Sequence, residues 1–430
     1  MGSASRRKRS SRAVADDVVT IDFLIVGGGL AGVSAAEAIR AVSTRGSVAI
    51  LSGEIDPPHD RPPLSKEFLR DERSREQVLL RPLDFYQSNR IGLVLGRPAL
   101  QLKPESHEVV LADGETVGYQ RLLLATGGRP RTLGVPGESL PGIYQLRTLA
   151  EAERLKEAAG SSTRVVVVGA SFIGLEVAAS LAERGLDVTV LNQDSQVWPN
   201  VVPPEIAAAI QDDFEARGIV FRHNVRVTGF EGKDSLEYIV TNAGDVAASF
   251  AVVGVGLQLN TELAAAAGLE VDNGIVVNEG LQTSVPEIFA AGDVASFPDV
   301  FASLDGKPHR HHLEHWDNAV TQGRVAGANM AGKRVRFLHV PYFWSDLFDH
   351  AINVVGSLDG GEITMLRGSI ESRQCTYLVL RGGYVRGALM LNRATDRRAL
   401  TELIGKRVPI QDHLEKLVDP SFKLAQLLPA

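Results

Sequence analysis

One pattern occurs twice in this chain, and it limits what the chain can fold into more than any other feature. From Ile21 a run of branched and aromatic residues (Ile21, Phe23, Leu24, Ile25, Val26) breaks at Gly27-Gly28-Gly29 and restarts after Gly32 as an alanine-rich segment ending near Arg40. The run reads as a buried parallel strand and the continuation as a helix. Glycines 27, 29 and 32 fit G-x-G-x-x-G, which serves a tight turn, a close backbone approach to pyrophosphate, and close helix–strand packing. The free N–H groups and partial positive charge of the helix start suit phosphate. A lone match is weak. With a strand before it and a helix after it, dinucleotide binding is favoured over a glycine-rich turn.

The second copy, RVVVVGASFIGLEVAASLAERGLDVTVLN, repeats strand, turn, helix and strand, with Gly169, Ser171 and Gly174 in the glycine positions. Two units imply two nucleotides, or two halves of one site. Ser171 replaces the middle glycine, and a residue this small still admits a phosphate. Asn192 stands where an acid would select the free 2′-hydroxyl of NADH, and no arginine follows it to take a 2′-phosphate. Selectivity between NADH and NADPH is left open, with NADH slightly favoured.

Bulk properties narrow the class. At 430 residues the chain exceeds one core, so two or three domains are expected. A net charge of −7 gives no general attraction to nucleic acid. No apolar run reaches the roughly 18 residues that cross a bilayer. The single cysteine, Cys375, excludes an internal disulfide framework, a cysteine-based metal site and a dithiol redox mechanism. The first residues carry Arg6, Arg7, Lys8, Arg9 and Arg12. The paired arginines resemble an export signal, but no apolar stretch follows before Asp16 and Asp17, so a disordered basic tail and a cytoplasmic protein are expected.

Between the two units, Val48 to Leu51 reads as a second parallel strand, and Glu54 is placed to accept hydrogen bonds from an adenosine ribose. In Asp60-Arg61-Pro62-Pro63-Leu64-Ser65-Lys66 the prolines fix a rigid entry until Ser65 can cap a helix. Lys66 at such a start opposes the helix dipole and needs an anionic partner. Arg61 and Lys66 together suit a diphosphate or a reduced flavin. Leu122–Leu124 should form a strand ending in Ala125-Thr126-Gly127-Gly128, and Phe250–Leu257 another buried strand. Thr283 to Asp293 should be a strand ending in Gly292-Asp293 before a helix, which points a carboxylate into the ligand crevice of an open α/β sheet. His309, His311, His312 and His315 are crowded around Arg310 without an acidic or cysteine ligand spacing, so no metal is expected. From about Arg334 the alternating segments Ile352–Val355, Thr376–Leu380 and Val385–Leu391 suggest a small α+β domain.

Together these motifs resemble a known family, the FAD-dependent ferredoxin reductases of oxygenase systems, of the putidaredoxin-reductase and rubredoxin-reductase type. The resemblance covers nearly all of the chain after about residue 20. It rests on GGGLAG, RPPLSK, LLATGG with Arg131, GASFIGLE, VDNGIVV, TSVPEIFAAGD, EHWDNAVTQG and Pro341-Tyr342-Phe343-Trp344-Ser345-Asp346. It implies an α/β fold with two Rossmann-like dinucleotide-binding domains of glutathione-reductase type and a C-terminal α+β domain. The division would be a basic tail at 1–19, a discontinuous FAD domain at 20–133 and 256–333, an NAD(P) domain at 134–255, and the C-terminal domain at 334–430, which helps form the partner-docking face.

Carried over onto this sequence, Gly27, Gly29 and Gly32 would cradle the FAD pyrophosphate and Glu54 would hold the adenosine ribose. Arg61 and Arg131 would sit near the phosphates or adenine, Asp293 on the ribitol, and Trp316 against the isoalloxazine edge. Lys66 and Glu176 look like the pair beside flavin N5. Gly169, Ser171, Gly174 and Asn192 would line the nicotinamide nucleotide. Leu30, Ala31, Ala99, Ala125, Thr126, Gly127, Gly292, Ile173 and Gly256 complete the expected cofactor-binding set. Leu259 departs from the proline that the family often carries.

The resemblance implies hydride transfer from NAD(P)H to FAD, then single-electron transfer to a ferredoxin- or rubredoxin-type protein. A monodehydroascorbate-reductase-like enzyme and an apoptosis-inducing-factor-like flavoprotein with a mainly binding role stay open. A cysteine-type NADH oxidase or peroxidase does not, because Cys375 lies in the C-terminal part.

Overall fold

A computed structural model of the chain describes residues 18–199, 202–301 and 309–429. The expected basic tail lies outside the described residues except for Val18 and Val19, and Val19 already opens the first strand.

Strand β1 (Val19–Val26) is flanked in parallel by Val48–Leu51 on one side and Thr116–Leu124 on the other. Ile91–Val94 extends the sheet beyond Val48–Leu51, also in parallel. The hairpin strands 99–103 and 108–111 join antiparallel to the first half of Thr116–Leu124. The far half of Thr116–Leu124 pairs in parallel with Ile288–Ala290, which arrives from much later in the chain. The helix Leu30–Val42, here α1, follows the glycine turn after β1.

The inserted segment builds a second, five-stranded parallel sheet. Strand β2 (Arg164–Val168) lies between Asp187–Leu191 and Phe250–Val253, with Val220–Arg222 and Ile143–Tyr144 at the two edges. Helix α2 (Phe172–Glu183) follows β2. Where the chain leaves and re-enters the first sheet, 128–130 and 257–259 run antiparallel as a two-stranded ribbon that includes Leu259. The expected strand Phe250–Leu257 therefore ends at Val253. Gly254 and Gly256 (φ 106°) turn the chain out of the sheet into this ribbon.

After Ile288–Ala290 the chain forms another strand, Ala295–Asp299, and not the helix expected directly after Asp293. The helix comes later, as α3 (Trp316–Met330). Two glycines let α3 lie directly on α1. A Cβ at Gly323 would stand 2.3 Å from the Ala31 carbonyl oxygen, and one at Gly327 2.3 Å from that of Ala35. The close crossing brings the N-termini of α1 and α3 to the same end of the first sheet. The C-terminal part is a five-stranded antiparallel sheet opened by β3 (Tyr342–Leu347) and covered by the helix Arg397–Gly405. Leu378, Ala388, Leu400 and Leu403 centre one core of this part, while Leu347, Ile352, Val354, Cys375, Leu389 and Leu391 join the core of the inserted unit.

Candidate functional site: two nucleotide cradles and a buried ion pair

The two strand–turn–helix units share their tight contacts. A Cβ on Gly32 would fall 2.1 Å from the Gly27 carbonyl oxygen, and one on Gly174 2.2 Å from that of Gly169. Gly27 (φ 125°) and Gly169 (φ 104°) occupy backbone that other residues rarely adopt. The middle positions differ. Gly29 is the N-cap of α1 with no side-chain cap, and the nearest atoms to a Cβ there would be the Arg61 guanidinium nitrogens at 4.0 Å. In the second unit the Ser171 hydroxyl accepts from Gly174 N (3.1 Å) and donates to the Gly254 carbonyl (3.1 Å), so one helix-start N–H is already satisfied. Ile173 stands exposed at that start.

Around Gly29 the groups suit a dinucleotide. Glu54, Arg61 and Gly29 line one narrow cleft with Gly28, Ser52 and His59. Arg61 Nη2 donates to Glu54 Oε1 at 3.3 Å, while Glu54 Oε2 and His59 Nε2 face each other at 3.7 Å, beyond hydrogen-bond distance. Desolvation, reinforced by the neighbouring Arg147 cation, lowers the Arg61 guanidinium to about 10. Arg61 at the uncapped start of α1, with Arg147 close by, is a charge arrangement that could hold a diphosphate. Gly127 stands beside both, since its Cβ would lie 3.5 Å from Arg147 Nη2 and 4.0 Å from Arg61 Nη1. Ala125 closes against Gly27, and Thr126 is locked by Asn260, donating to its carbonyl at 2.7 Å.

Arg147 Nη2 also pairs with Asp293 Oδ2 at 2.6 Å, with both side chains largely buried. Gly292, beside Asp293, donates its N–H to the buried Gln322 side chain on α3 (2.8 Å) and lies against Ala31. At the start of α3, Trp316 Nε1 donates to Asp60 Oδ1 at 2.8 Å, and burial raises the Asp60 carboxyl. The Trp316 ring meets Trp344 of β3 edge-on at 5.8 Å. Ala99, at the head of a hairpin strand, makes no polar contact with this group. It lies just after Arg97, whose N–H donates to the Ser52 carbonyl at 2.9 Å.

Lys66 and Glu176 meet, as expected. Lys66 Nζ lies 2.9 Å from Glu176 Oε1, and their side chains are 7% and 8% exposed. The local route differs from the one expected. Pro62–Ser65 is a single 3-10 turn, Ser65 caps no helix, and Lys66 ends the turn. Two prolines in the first two positions suit a tight turn, and the Ser65 hydroxyl donates to Glu176 Oε2 at 2.5 Å. Lys66 therefore faces no helix dipole. Its partner comes from α2, so the pair joins the two nucleotide units directly. Arg61 and Lys66, five residues apart, face different acids.

Two other expected residues make their hydrogen bonds within the protein. Arg131 donates from Nε to the Leu257 carbonyl (2.8 Å) and from its N–H to that of Gly256 (3.0 Å), so its contacts are with the ribbon and not with Arg61 or Glu54. The buried Asn192 spends its amide internally. Its Nδ2 donates to the Gln196 carbonyl at 2.8 Å and meets His223 Nδ1 at 3.2 Å, and its Oδ1 accepts from Asp194 N at 3.3 Å. Among the described residues no three histidine, cysteine or acidic side chains gather as a metal set. His311 and His312 lie near Asp299 and Glu314, each at 3.6 Å, and His315 packs against Phe343.

Sequence reasoning missed Arg147, Gln322, Ser65 as a Glu176 donor, and Ser345. Arg147 had a signal nearby, because Thr148 and Glu151 form a capping box whose glutamate also accepts from the Arg147 N–H at 2.9 Å.

Two dinucleotide cradles joined by a buried lysine–glutamate pair define a two-nucleotide α/β scaffold. The chain belongs to the pyridine nucleotide-disulphide oxidoreductase family, whose model matches residues 21–323, and a reductase C-terminal model matches 342–428. It is 35% identical over 407 residues to rhodocoxin reductase from Rhodococcus erythropolis, covering 94% of each chain. To putidaredoxin reductase CamA from Pseudomonas putida it is 33% identical, over 95% of this chain and 97% of that protein. Among solved structures it is similar to the reductase of the covalent putidaredoxin reductase–putidaredoxin complex, with a TM-score of 0.89, 34% identity, and 95% and 98% of the two chains covered. Despite the family's name, the one cysteine, Cys375, is buried in the C-terminal sheet, where desolvation pushes its thiol up to about 11.

Proposed function

We propose that the chain is a flavoprotein reductase that takes a hydride from NAD(P)H onto FAD and passes electrons singly to a ferredoxin- or rubredoxin-type protein. The observation that carries this reading is the Lys66–Glu176 pair, which sits where the unit built on β1 meets the unit built on β2. FAD, when bound, would accept two electrons together and release them one at a time.

Gly27, Gly29, Gly32 and the start of α1 would hold its diphosphate, with Arg61 and Arg147 supplying positive charge. Glu54, whose Oε2 faces His59 Nε2 at 3.7 Å without a hydrogen bond, would take the ribose, and Asp293 the ribitol. Trp316, fixed through Asp60, would border the ring. Lys66 has one partner among the described residues, which leaves two N–H donors for a ligand beside it. The second cradle, at Gly169, Ser171 and Gly174, would receive NAD(P)H, with Ile173 and Gly256 beside it. Positions 193–199 after Asn192 include Asp194 and no cation, which favours NADH over a coenzyme with a 2′-phosphate. The two sheets and the ribbon between them support dividing the chain into an FAD domain, an inserted NAD(P) domain and a C-terminal domain.

The relatives named above carry the names of reductases for small electron carriers, and the absence of a second cysteine fits a route that bypasses a disulfide. The test is a steady-state comparison of ferredoxins and rubredoxins with oxygen, quinones and ascorbate radical as acceptors. Iron–sulfur or rubredoxin acceptors should be the fastest by at least tenfold. A preference for a small acceptor would replace this reading with the monodehydroascorbate-type one.

A further inference from the structure

The Glu176 carboxylate is held from three directions. Lys66 and Ser345 both reach Oε1, at 2.9 and 2.7 Å, and Ser65 reaches Oε2 at 2.5 Å. Ser65 belongs to the Pro62–Ser65 turn, Glu176 to α2, and Ser345 to β3 of the C-terminal sheet, so the carboxylate ties together all three parts of the chain. All four side chains are buried. The turn is pinned in its own right, because the Ser180 hydroxyl, one helical turn beyond Glu176, donates to the Ser65 carbonyl at 2.7 Å. A second acceptor for the Ser65 hydroxyl, the Pro62 carbonyl, is more distant at 3.3 Å.

A lysine alone does not fix a carboxylate, which can rotate about its terminal torsion and offer either oxygen. Two hydroxyls that bind opposite oxygens remove that freedom. We infer that Ser65 and Ser345 are positioning residues that hold the Glu176 charge against Lys66, and so set how much of the lysine's positive charge a bound flavin experiences. Ser345 lies one residue from Trp344 on β3, so the same strand links the ion pair to the aromatic surface beside Trp316.

The inference rests on the flavin reading above, and its consequence is a reduction potential. Reduction adds negative charge next to Lys66. With the carboxylate locked, that lysine is largely neutralised. When a hydroxyl is lost, the carboxylate turns, the cation is less compensated, and reduction becomes easier.

The experiment is an anaerobic dye-equilibrium titration of the FAD-loaded full chain, followed by flavin absorbance, for wild type, S65A, S345A, S65A/S345A and E176Q. Each serine variant should favour the reduced flavin by about tenfold, roughly 30 mV more positive for a two-electron couple. The double variant should exceed either single one, because the serines bind different oxygens. The serines lie on separate segments, so S65A tests the inference even if S345A does not fold. If E176Q shifts the potential and neither serine variant does, the inference fails while the flavin reading stands. If NADH bleaches the flavin and E176Q leaves the potential unchanged, the pair does not sense the flavin and the inference fails. A protein that binds no flavin overturns both.

Discussion

Arg147 Nη2 lies 2.6 Å from Asp293 Oδ2, and the contact joins the approach to the Leu149–Gly160 helix with the far end of the first sheet. Arg147 also stands beside Arg61, whose guanidinium its charge helps to lower, so it completes the positive rim of the first cradle. On the proposed reading, replacing it removes a cation from the diphosphate site and leaves Asp293 a largely buried carboxylate without its ion-pair partner. R147A should weaken FAD retention by about 100-fold, in line with the roughly 2–3 kcal/mol cost of losing a charged hydrogen-bond partner. Titration of apoprotein with FAD, followed by quenching of flavin fluorescence, measures it. Unchanged affinity would place the diphosphate elsewhere.

The paired tight contacts at Gly32 and Gly174 separate the two cradles experimentally. A methyl group at either position would overlap a carbonyl oxygen at about the same distance, 2.1 or 2.2 Å. G32A should yield a protein depleted of flavin. G174A should stay yellow but be reduced by NADH at least 100-fold more slowly, because only the second cradle is distorted. Stopped-flow absorbance of the flavin band distinguishes them. Loss of flavin from G174A and not from G32A would reverse the assignment.

Asn192 makes a different kind of prediction. Its amide holds the turn at 194–196 and His223, whose Nε2 in turn lies 2.9 Å from Gln211 Oε1. N192A should cost about 1–3 kcal/mol of stability, the penalty for unpairing buried polar groups, and leave the ratio of NADH to NADPH efficiency within about threefold. Thermal melting and kcat/KM for both coenzymes read the two effects. A large change in that ratio with little loss of stability would make Asn192 a coenzyme contact after all.

His315 gives the pH dependence. Desolvation lowers it to about 4 in the fold, outweighing the nearby acids Asp293, Glu314 and Asp317. An unfolded histidine titrates near 6.5. Between these values the unfolded chain binds the proton and the folded chain does not, so stability falls as pH drops from about 6.5 to about 4. H315Q removes this contribution. The gap in melting temperature between wild type and H315Q should narrow, or shift toward the variant, across that window. Parallel curves would show that His315 protonates equally well in the fold.

Much of this architecture was legible in the residue order, because the constraint is local. Strand, glycine turn and helix fall within about 20 residues, and steric closeness at Gly32 or Gly174 must be encoded at that position. The Lys66–Glu176 pair spans 110 positions, and only the resemblance linked the two. What escaped depends on contacts that no local pattern records. Ser345 reaches Glu176 across 169 positions. Ser65 read as a helix cap because proline followed by serine suits one, yet the chain passes from the 3-10 turn at Pro62–Ser65 into further turns, so no helix starts there, and the hydroxyl donates to a carboxylate 111 positions away. Asn192 read as a nicotinamide-nucleotide residue by position, and its contact with His223, just after the neighbouring strand Val220–Arg222, spans 31 positions that no local pattern links.

The most direct test of the account is anaerobic addition of NADH to the purified full-length protein, followed by an oxidised ferredoxin. The account predicts a yellow protein whose flavin absorbance bleaches with one equivalent of NADH and returns as two equivalents of a one-electron iron–sulfur acceptor are added. A protein that carries flavin but keeps its colour under excess NADH and NADPH would contradict it.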